Sequence, residues 1–400
     1  MTVHDQYFRV NPVRGAAALV VAAGLFWLST AATLDVTTDR GGTGVFTTSY
    51  GVRGLIARSE TNLADRPAVA LADAKTALVR GPVQPVAARN AGLALAQLGQ
   101  IKQAQRAFAY SERLSRRDFG TQLWLIEDAV RRNDIPQALV HYDRALRTSR
   151  AARDQLLPVL VAAADDTQIA EPLARLIRGR APWVPEFLNR LSGKTANPTT
   201  IVPLLLAYRP DPNSDTDIAL LERTLERLRA IGHADAAQLL FHAVWPTATA
   251  KPVQNSGFEA SRQLLPFGWA YQEVDGVIGF PETLQNRSGR VLTVQLSPSY
   301  RGVAARQFTV VASGRYRLSA TGGEVQLGGA TPFVRLTCDG DERMVGQLPL
   351  AATSSTRRVQ TVVTIPANCR GIWLSVVGQA PDEQEGSFWI DDISLDRLAG

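Results

Sequence analysis

The chain has 400 residues, of which 45% are hydrophobic and 20% are charged, and this balance excludes an intrinsically disordered protein. A chain of this length forms two or three domains, each large enough to bury a core. The net charge is +6, but only four of the 43 basic residues are lysines. No nucleic-acid recognition motif accompanies the charge, so we expect no nucleic-acid partner.

An uncharged apolar segment lies close to the N-terminus, at residues 15–34. Twenty helical residues span about 30 Å, the thickness of the hydrocarbon core of a bilayer. Arg14 precedes the segment and Asp35 follows it, so the positive-inside rule keeps residues 1–14 in the cytoplasm. We therefore predict a single-pass transmembrane anchor in a bacterial inner membrane, followed by a linker at 35–54 and by periplasmic domains.

A cleavable signal peptide is the alternative for this segment, because Thr30, Ala31 and Ala32 are small residues that a signal peptidase accepts. The apolar run is longer than the apolar region of an ordinary signal peptide, which favours the uncleaved anchor. Both interpretations place the bulk of the chain outside the cytoplasm.

Residues 133–146 (NDIPQALVHYDRAL) bring a histidine, a tyrosine and an aspartate together at His141, Tyr142 and Asp143. Neighbours on a helix face are three or four residues apart, so three consecutive residues point in different directions. A catalytic base needs an orienting partner within hydrogen-bond reach, and this spacing does not supply one. We therefore expect His141 and Asp143 to be surface residues of a helix. The apolar residues recur at helical spacing and predict one buried face, made of Ala138, Leu139, Tyr142, Ala145 and Leu146.

The same stretch recurs with a period of 34 residues. Ala138 aligns with Ala104 and Ala70, and Tyr142 aligns with Phe108. Small residues at fixed positions allow the helices of a hairpin to approach closely, and this period is typical of tetratricopeptide repeats. Over about residues 60 to 150, the chain resembles that family.

Gly92 and Pro82 extend the resemblance, because they match the glycine of the first helix and the proline that closes a repeat. The resemblance implies stacked helical hairpins, with a concave face that binds an envelope protein partner. We predict an all-α solenoid of five or six hairpins over residues 55–248. Proline-containing stretches at 181–183 and 208–212 interrupt its middle.

After residue 251 the helical spacing stops and alternation begins. Leu292, Val294 and Leu296 fall on one face of a predicted strand. Further alternating runs lie at 315–320, 334–338, 358–365 and 371–376. Eight or more short strands separated by turn residues predict an all-β antiparallel sandwich over residues 251–400.

The only two cysteines, Cys338 and Cys369, both lie in the predicted sandwich. In an oxidising compartment such a pair forms a structural disulfide. A zinc site is disfavoured because zinc takes four ligands and no histidine follows His242. We therefore predict a disulfide between the two cysteines.

Both ends of the sandwich segment resemble jelly-roll carbohydrate-binding modules of the galactose-binding-like type. The opening is carried by residues 255–259 (NSGFE) and 266–269 (PFGW), and the closing strand by 388–395 (FWIDDISL). In several such modules an opening glutamate and a closing aspartate share a structural calcium, and Glu259 and Asp392 are the matching positions. Sandwiches of this type also serve as structural or protein-binding modules.

Sugar recognition requires exposed aromatic faces and polar groups that orient hydroxyls. Trp373 alternates with apolar neighbours, so it points away from the predicted apolar face. Tyr271 and Tyr300 are further candidates for glycan binding, whereas Trp269 fits the core. The alternative for each candidate is packing against a neighbouring loop.

We expect a non-enzymatic envelope protein that combines a scaffold for protein partners with a sandwich that binds a polysaccharide, in polysaccharide export or assembly. The alternative is a pure protein–protein scaffold with a structural jelly roll. A glycan-active enzyme is less favoured, because it needs two carboxylates across a cleft and the acidic residues match no catalytic motif. Those acidic residues are Glu273, Asp275, Glu282, Asp391 and Asp392.

Overall fold

The computed structural model describes residues 51–398 except for 195–196, 275, 286, 327–331, 351–355, 370 and 381. The predicted cytoplasmic segment, the anchor and most of the linker lie outside the described residues. Among the helices of the described part, none has the length and apolar character needed to span a bilayer. The chain divides into two compact units, Met1–Phe187 and Leu188–Gly400.

Twelve helices precede the first strand in the described part of the chain. Several begin with a side chain that caps the free backbone donors: Asp118 accepts from the N–H of Thr121, and Asp134 accepts from that of Gln137. The helices are α1 (Val52–Asn62), α2 (Pro67–Arg80), α3 (Pro85–Gln97), α4 (Ile101–Leu114), α5 (Phe119–Arg131), α6 (Ile135–Thr148), α7 (Arg150–Ala163), α8 (Thr167–Ile177), α9 (Val184–Lys194), α10 (Pro198–Tyr208), α11 (Asp215–Ala230) and α12 (Ala234–Val244).

The first six helices pack as three hairpins, α1 with α2, α3 with α4 and α5 with α6. The second helices begin 34 residues apart, at Pro67, Ile101 and Ile135, so equivalent residues occupy equivalent contacts. The aligned small residues Ala70 and Ala104 are fully buried, and Ala138 is nearly so. Three of the predicted five or six helical hairpins are therefore confirmed, and their assignment to the tetratricopeptide family stays a prediction.

Gly92 shows why a small residue is required within a hairpin. A Cβ atom added at Gly92 in α3 would lie 2.7 Å from the ring of Phe108 in α4, closer than real Cβ contacts allow. The Phe108 ring in turn stacks on Trp124 in α5, with 4.1 Å between ring centroids. The missing side chain thus lets an aromatic pair fill the space between successive hairpins.

The prediction that His141 is a surface residue is wrong. Its side chain is only 3% exposed, because helix α5 supplies Gln122, whose Oε1 lies 2.9 Å from His141 Nδ1. The other ring nitrogen, Nε2, lies 3.0 Å from Gln137 Nε2. Burial lowers the pKa of His141, so the ring is neutral, donating through Nδ1–H and accepting at Nε2.

Asp143 also has a structural role that the sequence did not indicate. Its carboxylate accepts a hydrogen bond of 2.9 Å from the indole Nε1–H of Trp183, a fully buried residue 40 positions later. Arg147 binds the same carboxylate from one helical turn away. The five residues predicted to form the apolar face of α6 are all buried.

The second unit contains a two-layer antiparallel sandwich. Its five-stranded sheet has the order β1-β5-β10-β7-β8 and its six-stranded sheet the order β2-β3-β4-β11-β6-β9. The strands are β1 (Ala270–Tyr271), β2 (Glu273–Val274), β3 (Val277–Glu282), β4 (Val291–Leu296), β5 (Arg301–Val310), β6 (Gly314–Gln326), β7 (Phe333–Cys338), β8 (Met344–Pro349), β9 (Arg357–Ile365), β10 (Gly371–Gln379) and β11 (Gly386–Arg397). The predicted all-β sandwich is confirmed.

The core of the sandwich lies between the two sheets and includes the residues that alternation placed inward, such as Leu292, Val294 and Leu336. The two ends of the sandwich segment meet, since the backbone N–H of Ile393 donates to the carbonyl of Ser256. Trp269 is 1% exposed, in agreement with its predicted place in the core. The predicted disulfide Cys338–Cys369 is present, with 5.4 Å between the Cα atoms.

The compact units divide at residue 187, whereas the sequence predicts a domain boundary at 248–251. The sequence boundary marks the change from helices to strands. The structural boundary lies earlier because helices α10 to α12 belong to the same unit as the sandwich. The last helix, α12, packs against strand β5.

Replacing His141 with alanine tests the buried hydrogen bonds of the helical unit. We expect His141→Ala to lower the free energy of unfolding by about 2 kcal/mol, because it leaves a cavity and the buried amide oxygen of Gln122 without its partner. Scanning calorimetry of the full-length chain measures the loss. The exposed neighbour Val140 provides the control, since Val140→Ala should change stability by less than about 0.5 kcal/mol. Equal losses of stability in the two variants would contradict a stabilising role for the buried hydrogen bonds of His141.

Candidate glycan-binding surface

The outer side of the five-stranded sheet, which faces away from the sandwich core, carries the predicted glycan-binding residue Trp373. On β10, Ile372 and Leu374 are fully buried in the core, and the partly exposed Trp373 between them points the other way. Trp373 is paired with Phe308 of β5 and Thr337 of β7. Directly opposed residues share a face of the sheet, so these three side chains lie on the outer side.

Helices of the same unit cover this end of the outer side. The ring of Phe308 is fully buried, and it contacts Phe267, which stacks on Phe241 of α12 with 4.9 Å between centroids. Arg229 of α11 lies over the rings of Phe308 and Trp373, 5.7 and 5.3 Å from their centroids. This aromatic stack attaches the last two helices to the sheet.

The contacts of Trp373 favour packing over an open stacking platform. Its indole Nε1–H donates to Asp339 Oδ1 at 3.1 Å, and Asp339 also forms an ion pair with Arg229. The guanidinium of Arg306 lies 4.8 Å from the centroid of the Trp373 ring. The side chains of Arg229, Arg306 and Asp339 therefore lie around the Trp373 ring. A direct role of Trp373 in sugar stacking stays a prediction.

Beyond Trp373 the outer side becomes polar. Two positions further along β10, Ser375 is paired with Arg306 of β5 and with Arg335 of β7, and Arg335 is paired with Gln347 of β8. Arg306 and Gln347 are exposed and Arg335 is half-buried, while Ser375 lies beneath them. The exposed Arg301 completes the surface by lying over the ring of Phe333, 5.5 Å from its centroid. We name the surface formed by Arg301, Arg306, Phe333, Arg335, Gln347 and Ser375 the arginine face.

Tyr271 and Tyr300, the other predicted glycan-binding residues, lie elsewhere. Tyr271 is paired with Ala305, a core residue, and it packs against the core. Its hydroxyl is buried without a hydrogen-bond partner in the described part of the chain, and burial raises its pKa to about 12. Tyr300 packs over Gly276, whose missing side chain leaves room for the ring. The structure does not bring the three aromatic residues together on one surface.

Glu259 and Asp392, predicted as calcium ligands, are brought to the same place. A Cβ atom added at Gly257 would lie 3.9 Å from Glu259 Cγ and 4.0 Å from Asp392 Oδ1. Glu259 Oε1 already accepts the backbone N–H of Arg290. Calcium takes six to eight oxygen ligands, and no group of three or more acidic, histidine or cysteine side chains in the described ranges could hold a metal. Glu259 and Asp392 supply two candidate carboxylate ligands, and calcium stays a prediction.

The remaining acidic residues of the sandwich that the structure describes include two with structural hydrogen bonds. Asp391 accepts from the guanidinium of Arg287 at 3.1 Å and from the backbone N–H of Asp392 at 2.7 Å. Burial raises the pKa of Asp391, while the bond from Asp392 N–H and the charge of Arg287 act in the opposite direction. Glu282 Oε1 accepts from the hydroxyl of Thr293 at 2.6 Å.

A cleft of about 450 Å³ lies where the last helix leads into the sandwich. Its lining includes Trp245, Lys251, Asn255 and Arg262. The Nδ2 atom of Asn255 is buried there without a hydrogen-bond partner in the described residues. The volume fits a small ligand. This cleft could not be predicted from the sequence, because its walls come from segments with no alternation.

The sequence analysis also missed the three arginines of the arginine face. A signal was present, since the strands of this sheet contain arginines without acidic residues. That signal becomes visible only when strand order is known, because β5, β7, β8 and β10 are adjacent in space and not along the chain.

Solved structures that are similar to this chain include carbohydrate-binding modules, and these cover the sandwich region. One is a family 4 module, with 11% identity over 36% of this chain and 99% of that one, at a TM-score of 0.28. A family 61 module, solved with β-1,4-galactotriose, shows 17% identity over 38% of this chain and 100% of that one, at a TM-score of 0.28. The N-terminal cellulose-binding domain of β-1,4-glucanase C from Cellulomonas fimi shows 18% identity over 38% and 99%, at a TM-score of 0.25.

These TM-scores lie below 0.5, and the sandwich is defined by its own strand order. No protein-family model matches the chain. The comparison with curated proteins also found no match.

The aromatic stack predicts a structural effect of Trp373. We expect Trp373→Ala to lower the free energy of unfolding of the second unit by about 2–3 kcal/mol, somewhat less than for a fully buried tryptophan. Arg229→Gln should be destabilising as well, and the double variant should lose less than the sum of the two, because each single change removes the same contact. Calorimetry of the full-length chain measures all three.

Met344→Ala serves as the control, because Met344 is 59% exposed on the same sheet. A Trp373→Ala protein as stable as the Met344→Ala protein would contradict the packing role.

Proposed function

We infer that the protein is a non-enzymatic, membrane-anchored envelope protein whose sandwich binds a polysaccharide and whose helical hairpins bind a protein partner. The proposal that the sandwich binds a glycan rests on the arginine face, an accessible polar surface on a rigid sheet beside an aromatic cluster. Exposed donors such as Arg306 and Gln347 suit the hydroxyl and ring oxygens of a sugar chain. The buried ring of Phe333 lies beneath Arg301 and supports its guanidinium.

The protein partner binds along the concave face of the stacked hairpins in this proposal. Regular stacking supports it, because hairpins that recur every 34 residues create an extended surface. Exposed apolar side chains support a protein partner for the helical unit: Val79 and Val83, at the end of α2 and in the following loop, are 84% and 71% exposed. Apolar groups exposed close together are typical of interaction surfaces.

Two of the acidic residues of the sandwich support a binding role over catalysis. Glu282 and Asp391 are engaged in hydrogen bonds within the structure, to Thr293 and Arg287. A glycosidase needs one carboxylate as acid and a second as base or nucleophile across the scissile bond. Incubation with each bound glycan should therefore release no new reducing ends.

Blocking the arginine face tests the glycan proposal. The only cysteines form a disulfide, so Gln347→Cys introduces a single free thiol on this face. After attachment of a bulky maleimide, we expect binding to a broad set of neutral and acidic oligosaccharides to fall at least about tenfold, because the label occupies the surface. Fluorescence anisotropy of the oligosaccharides, titrated with the full-length protein, measures this binding.

The matched control is Val362→Cys with the same label. Val362 is 50% exposed on β9 of the other sheet, so its label leaves the arginine face free and binding should be unchanged. If the unlabelled protein binds no glycan in the set, the protein-scaffold alternative replaces the glycan proposal. Equal loss with both labels would move the binding site away from the arginine face.

The proposed topology rests on the apolar segment at residues 15–34 and its charge asymmetry. We expect a reporter fused after Gly400 to be active if it requires an extracytoplasmic environment, and inactive if it requires the cytoplasm. Exchanging the charges of Arg14 and Asp35 should weaken this orientation. Activity of the cytoplasmic reporter in the unaltered protein would overturn the topology.

A further inference from the structure

The charge of the five-stranded sheet is entirely positive. Its five strands, all of whose residues the structure describes, contain three arginines and no aspartate or glutamate. The three are Arg301, Arg306 and Arg335, and all belong to the arginine face. None of them forms an ion pair with an acidic side chain in the described part of the chain.

This pattern is not a simple consequence of an arginine-rich composition. The six-stranded sheet of the same sandwich also contains arginines, but its strands carry aspartates and glutamates among them. There, Arg317 of β6 is paired with Asp396 of β11, so opposite charges face one another across the strands. The two sheets share the same composition bias and differ in the placement of carboxylates.

The geometry leaves the cations available to a ligand. Arg306 and Arg335 flank Ser375 on either side of β10, so their Cα atoms are about 10 Å apart, two strand spacings. The Nε atom of Arg335 is buried and has no hydrogen-bond acceptor among the described residues. Arg301 and Arg306 lie over aromatic rings, which hold a guanidinium in place without neutralising its charge.

We propose that the arginine face binds a polysaccharide that carries carboxylate groups, such as a polyuronate. This inference rests on the proposed glycan-binding function and names the chemical class of its ligand. Guanidinium groups bind carboxylates through paired N–H donors, which is stronger and more directional than binding to neutral hydroxyls. Three cations on one sheet face, without an ion-pair partner among the described residues, would repel one another unless a polyanion or bulk counterions compensated them.

The test uses the full-length protein and matched probes. Oligogalacturonate, oligomannuronate and oligoglucuronate are each compared with their methyl esters, which keep the sugar backbone and remove the charge. We expect at least one acidic form to bind about tenfold or more tightly than its ester, and to bind less tightly as salt is raised. Arg301→Gln with Arg306→Gln should weaken this binding roughly ten- to a hundredfold, since two charge-assisted contacts are lost.

Two control variants make the result specific. Arg315→Gln with Arg317→Gln removes the same charge from exposed positions of the other sheet, and binding should be unchanged. Arg301→Lys with Arg306→Lys keeps the charge and should retain most of the affinity for the acidic probe. Unchanged melting temperatures would show that each variant is folded.

Several outcomes would overturn the inference. Equal binding of acid and ester would do so while leaving the glycan function intact, because neutral sugars would then be the ligand. If the protein bound neutral oligosaccharides but none of the acidic probes, the inference would also be overturned and the glycan function would remain. Binding to an acidic protein or to anionic vesicles in place of every glycan would overturn both this inference and the proposed function.

Discussion

The ring of Phe308 faces away from the core of the sandwich and yet has no exposure to solvent, so an element outside the sheet must cover it. An exposed phenylalanine beside Trp373 would leave a large apolar patch in water, which is unfavourable in proportion to its area. Phe267 and Phe241 cover the ring directly, and Arg229 lies over its face. Because this end of the sheet is apolar and must be covered, helices α11 and α12 belong to the sandwich unit.

The covering helices also determine which part of the sheet remains open. Arg229 is held by Asp339 and Glu226, so its charge is compensated within the protein and its role is to bridge helix and sheet. Arg306, a residue of the sheet itself, lies over the same ring without an acidic partner among the described residues. Two arginines on one tryptophan therefore differ in charge compensation, because carboxylates form ion pairs with only one of them among the described residues.

Much of the fold could be predicted from periodicity, because it reflects backbone geometry. Alternation along β10 gave the orientation of Trp373, and the 34-residue period gave the hairpins. Neither pattern says what lies opposite a side chain when the partner is distant in sequence. His141 shows this limit, since its position in α6 is correct and its burial depends on Gln122 of another helix.

The arginine face was missed for the same reason, because its residues come from strands that are adjacent only after folding. Its rigidity matters for an extended ligand. Individual contacts to a sugar chain are weak, and affinity is gained when several are made at once without ordering the protein further. Backbone pairing across β5, β10 and β7 fixes Arg306 and Arg335 on either side of Ser375 before any ligand arrives. The disulfide between Cys338 and Cys369 joins the end of β7 to the segment that leads into β10, and so holds the two central strands of this surface in register.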